Sequence, residues 1–183
     1  MTDEAKNADR RKSSNTDLFR QRRLCARKRA MQFLFGLDLR KNWAFTADQL
    51  ADFREMLCNL DEDTETLPAG ETQKAMTYME TLVHGIAENI TDIDGQIRAA
   101  ARNWSLERMG PVDRCIIRVA VYEMAFVNGV TAPTAINEAV EMAKVFGQAD
   151  TPRFVNGVLD RVRRMLETKK ASENAESEPQ NEN

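Results

Sequence analysis

Histidine occurs once, at His84, and cysteine three times, at Cys25, Cys58 and Cys115. A single imidazole leaves no histidine-based metal site. Three scattered thiols with no Cys-x-x-Cys pair supply neither a disulfide framework nor a zinc site. No metal ion and no cofactor is expected. Five prolines and eight glycines fall singly between apolar stretches, as punctuation rather than as a low-complexity region. No apolar run approaches the roughly 18 residues needed to span a bilayer. The first twelve residues lack the apolar core of a signal peptide. A cytoplasmic protein without membrane contact is therefore expected. Also missing are a Gly-rich phosphate loop, a nucleophile motif, and a His with a Ser or Cys partner at catalytic spacing. This inventory does not describe an enzyme.

What the chain does have is charge, unevenly placed. Its 26 basic and 29 acidic residues leave a net −3 over 183 residues, which taken whole argues against a nucleic-acid partner. Residues 1–29, however, carry ten bases against four acids and stand at +6, so the remainder stands at −9. A basic arm on an acidic body is the better description.

Between the ends the apolar spacing is helical, with no alternation long enough for a sheet. A first helix is expected from about Arg20 to Arg40 and a second through Leu50, Phe53, Leu57 and Leu60. An acidic loop at 61–71 follows, then a third helix striped by Met76, Met79, Leu82, Val83, Ile86 and Ile90. Thr91-x-x-Asp94 resembles a capping box opening a fourth helix, with Ile93, Ile97, Ala100 or Ala101, and Trp104 as its apolar stripe. Gly110-Pro111 opens a fifth helix, apolar nearly all round from Val112 to Val127 and so the central one. Pro133 and Thr151-Pro152 open the sixth and the last. Residues 1–19, a basic arm, and 168–183, an acidic tail, hold too little apolar surface to offset their ordering entropy and are expected to be disordered. The domain lies in 20–167, an all-α bundle of about seven helices.

Two places could hold RNA. Arg20, Arg23 and Arg27 fall at i, i+3 and i+7, so a helix puts them on one face, and Arg22, Lys28 and Arg29 widen that stripe. Such a stripe neutralises phosphates and stacks on unpaired bases; the competing reading is a solvated helix start. At Asp150-Thr151-Pro152-Arg153-Phe154, a helix N-terminus, a cation and an aromatic coincide, a combination that suits a phosphate with a stacked base. Asp150 opposes the phosphate, and a capped helix with Phe154 in the core is the alternative. His84, the 61–65 carboxylates and a buried Glu123 read as structure. Gly157, inside the last helix, suggests close approach of another helix there.

Three stretches together resemble the NusB transcription antitermination family. They are Val112-Asp113-Arg114-Cys115-Ile116-Ile117-Arg118-Val119-Ala120-Val121-Tyr122-Glu123, Ile136-Asn137-Glu138-Ala139-Val140-Glu141-Met142-Ala143-Lys144-Val145-Phe146-Gly147, and Phe154-Val155-Asn156-Gly157-Val158-Leu159-Asp160. Arg27-x-x-Ala30-Met31-Gln32-x-Leu34-Phe35 resembles the family's first helix, with Phe35 where some relatives have Tyr. The resemblance implies a fold of two packed three-helix-bundle-like halves. It also implies binding to the boxA element of nascent ribosomal RNA with NusE, a small-subunit ribosomal protein, in an RNA polymerase antitermination complex. Carried over residue by residue, the RNA contacts fall on Arg22, Arg23 and Arg27 and on Arg153 and Phe154, with Asp150 near the site; Arg20 and Lys28 join them from the helical stripe, and Asp113 would face NusE. A homodimeric helical module that does not bind RNA is the alternative.

Overall fold

The computed structural model describes residues 3–59, 67–101 and 104–177, with side chains over 15–57, 67–68, 70–101 and 104–173. Seven α-helices run through the described residues, with no strand among them: α1 (Asp3–Arg40), α2 (Ala47–Asn59), α3 (Ala69–Glu88), α4 (Ile90–Ala100), α5 (Pro111–Phe126), α6 (Ala132–Phe146) and α7 (Thr151–Ser177). The acidic run at 61–65 lies outside the described residues. The chain divides into two compact units, residues 1–84 and residues 85–183, the division falling inside α3.

In the first unit the buried side chains follow the expected stripes. Leu34 and Leu37 of α1, Leu50 and Leu57 of α2, and Met79 and Leu82 of α3 are all in the interior. An aromatic cluster fixes the turn between α1 and α2. Phe33 meets Phe45 and Phe53 edge-on, both at 5.2 Å between ring centroids, the geometry favoured by aromatic quadrupoles. His84 is exposed at the rim of this cluster, its ring 4.9 Å from that of Phe45.

In the second unit α5, α6 and α7 pack on one another, and α4 packs on α5 and α7. Every residue from Cys115 to Met124 of α5 is buried, as expected of a helix with no polar face. Pro111 and Pro133 each sit in the first turn of their helices, where a missing N–H is no loss. Thr131 caps α6 by accepting from the Thr134 N–H.

Several expectations are corrected. Residue Asn89, not Thr91, precedes the first residue of α4, and Asp94 is no capping-box member. Its carboxylate instead takes two hydrogen bonds from Arg118 of α5, Nε at 2.7 Å and Nη2 at 2.9 Å, inside the unit. The spacing rule found an acid three residues after a threonine, but a buried guanidinium is the stronger partner. Trp104 lies beyond α4 and is 54% exposed, so it is not part of that helix's apolar stripe. Nothing lies within 4 Å of where a Cβ on Gly157 would stand; the helix glycine that does meet a neighbour is Gly85, where an added Cβ would collide with the Tyr122 ring. Finally, α1 begins at Asp3, well before Arg20, and α7 continues to Ser177. Ala and Lys, which recur in both extensions, are good helix formers. Lack of apolar side chains bears on burial rather than on backbone conformation.

Candidate nucleic-acid interface

The first unit carries the arginine-rich part of α1. Its arginines, which spacing puts on one stripe, divide by environment. Arg20 is exposed, Lys28 and Arg29 are half-buried, and Arg27 is 3% exposed. Arg22 donates from Nη1 to Glu71 Oε2 of α3 at 2.8 Å, and Lys74 donates to the other oxygen of the same carboxylate at 2.6 Å. The hydrogen bond from Lys74, and after it that from Arg22, holds the Glu71 carboxyl below its ordinary pKa. Arg23 lies over the Tyr78 ring, its guanidinium carbon 3.5 Å from the centroid, with Nη1 buried and making no hydrogen bond among the described residues. Aromatic and carboxylate groups of α3 thus hold two of these guanidinium planes in place. Neither Glu71 nor Tyr78 is legible from α1, because a partner 49 or more residues away leaves no local spacing to read.

The second unit carries the start of α7. Thr151 is buried; its hydroxyl accepts from the Gln148 N–H at 3.0 Å and donates to Asp113 Oδ1 at 3.2 Å. Asp113, in the first turn of α5, therefore anchors the α7 N-terminus from inside its own unit, while remaining partly exposed. Asp150 and Arg153 are exposed, and Phe154 is half-buried rather than in the core. Phe154 meets Trp104 edge-on with centroids 5.7 Å apart. A short 3-10 turn at Leu106–Arg108 follows Trp104, and Arg114 Nη1 of α5 donates to the carbonyls of Leu106 and Met109, at 2.9 and 2.8 Å. That clamp fixes the connection leading away from Trp104.

Trp104, Asp150, Arg153 and Phe154, with Gly157 and Arg161 further along α7, line a cleft of about 530 Å³. Trp104 and Phe154 supply aromatic surface, Arg153 and Arg161 positive charge, Asp150 a carboxylate, and bare Gly157 open room on the helix face. Arg161 also donates to the Ala100 carbonyl at 3.2 Å. Free backbone N–H groups and the positive end of the helix dipole add to the field at the first turn of α7. Chemically, the cleft can hold an anion beside a flat ring. The sequence reading placed Asp150, Arg153 and Phe154 here and missed Trp104, Gly157 and Arg161. An aromatic within the polar run Arg102-Asn103-Trp104-Ser105 was the available signal for the first of these.

No helix among the described residues is long and apolar enough to cross a membrane, and no group of His, Cys, Asp and Glu there could hold a metal ion.

Comparison with known proteins identifies the family. Transcription antitermination protein NusB of Bacillus cereus is 39% identical over 145 residues, covering 79% of this chain and 99% of that protein. The NusB of Bacillus thuringiensis matches to the same extent. Among solved structures, Thermotoga maritima NusB superimposes with a TM-score of 0.60 at 30% identity, over 84% of this chain and 96% of that one. A chain in the crystal structure of a plectonemic RNA supercoil gives a TM-score of 0.65 at 26% identity, over 80% and 97% of the two chains. Residues 25–164 match the model of the NusB family, and the chain belongs to that family of transcription antitermination proteins.

Proposed function

We propose that this chain is a cytoplasmic antitermination factor that binds the boxA element of nascent ribosomal RNA together with NusE and helps load it onto RNA polymerase. The observation that carries the reading is the placement of cations beside aromatic groups on both units of an otherwise acidic protein. In the first unit Arg20, Arg22, Arg23 and Lys28 face phosphates and bases, and the buried Arg27 supports the helix that presents them. In the second unit Arg153 takes a phosphate at the α7 N-terminus, Phe154 stacks on a base, and Asp150 selects which group enters. Asp113 acts twice, as the anchor for Thr151 and as part of the surface for NusE. The acidic body suits a basic ribosomal protein as partner.

Titrating a labelled boxA RNA at several salt concentrations tests this. Affinity should fall steeply with salt, and replacing Arg20, Arg22 and Lys28 by Ala should flatten the log–log slope by about 2, near 0.7 per lost contact to a single strand. An unchanged slope contradicts the role of the arm.

A further inference from the structure

The first unit has a groove of about 620 Å³ lined by Asn15, Thr16, Phe19, Arg22, Glu71 and Lys74. Phe19 is 48% exposed on a polar helix face, with the guanidinium carbons of Arg22 and Arg23 at 5.0 and 5.2 Å from its ring centroid. An exposed aromatic ring among cations, with no other apolar side chain among the described residues lining the groove, is unlike a core residue at the edge of its cluster. Across the groove an anion already sits between two cations, the Glu71 carboxylate held by Arg22 at 2.8 Å and Lys74 at 2.6 Å. A phosphate offers the same charge and the same acceptor oxygens to those donors. Phe19 also precedes residue 25, where the match to the family model begins.

We propose that this groove is a nucleotide subsite for single-stranded RNA, with an unpaired base stacked on Phe19 and its phosphate exchanging with the Glu71 carboxylate between Arg22 and Lys74. The inference rests on the RNA-binding reading above and adds a position to it. Glu71 occupies the anion site in the free protein, so a lone phosphate gains little by displacing it. A nucleotide gains the stacking as well, which a base paired within a duplex cannot supply. The groove therefore favours single strands over duplex.

Fluorescence anisotropy with the full chain tests this, using a labelled boxA single strand and the same strand annealed to its complement. Phe19→Ala should weaken single-strand binding about tenfold, and Phe19→Tyr should stay within about twofold. Glu71→Gln should tighten it about threefold and steepen the salt dependence. Because Phe19 is exposed, Phe19→Ala should keep the helical circular dichroism of the parent. Wild-type binding matched by Phe19→Ala overturns the subsite alone, as does an equal loss on strand and duplex. Weaker binding by Glu71→Gln overturns the exchange. Wild-type protein that binds no boxA strand overturns the subsite and the antitermination reading together.

Discussion

Asp94 and Arg118 form a two-point ion pair between α4 and α5, with the guanidinium buried. The attraction between such partners is largely offset by their desolvation, so the pair adds little net stability while both members are present. Removing one member is different, because the charge that remains stays buried and loses both hydrogen bonds of the pair. Asp94→Ala should lower the free energy of unfolding by about 3 kcal/mol in urea denaturation. Glu71 makes a pH-dependent contribution. Its carboxyl is held below the ordinary range by Lys74 and then by Arg22, so the stabilisation is present above its unfolded pKa and is lost as pH falls through the lowered folded value. Glu71→Gln should therefore separate from wild type in stability at neutral pH and converge with it in strong acid, as read from denaturation midpoints across that range.

The helices differ in how they use glycine, and the difference can be measured. Gly157 lies within α7 with no atom near enough to touch an added methyl, so Gly157→Ala should stabilise the protein by about 1 kcal/mol through helix propensity alone. Gly85 lies within α3, where the Tyr122 ring of α5 occupies the space of a side chain, so Gly85→Ala should destabilise by about 1–3 kcal/mol. Thermal denaturation of the two variants should show midpoints shifted in opposite directions. Sequence alone could not separate them, since each is a glycine in a helical pattern. Periodicity did locate the helices: the buried α5, the proline-opened α5 and α6, and the threonine at the start of α7 were all legible. What it missed depends on contacts between elements. The Asp94–Arg118 pair, the Glu71 clamp on Arg22 and the Trp104 wall of the α7 cleft each join residues distant in sequence, and a distant partner leaves no trace in local spacing. At the candidate sites the residue types were readable, but the division of the arginines into exposed, clamped and buried was not.

For the molecule as a whole, the distribution of charge matters more than its sum. A net of −3 conceals a +6 segment over residues 1–29, which includes the arginine-bearing part of α1. In the proposed account that segment meets RNA and the acidic remainder leaves surface for a basic protein, so each partner finds a complementary region on one chain. Two weak contacts joined on one scaffold bind more tightly than either alone, provided the RNA and the protein partner engage together. Sedimentation velocity of the full chain mixed with NusE and boxA RNA tests this central claim most directly. The account predicts one species containing all three components, which dissociates as salt is raised and forms poorly when the boxA sequence is scrambled. A mixture that sediments as separate components at low salt, or assembles equally well on scrambled RNA, would contradict it.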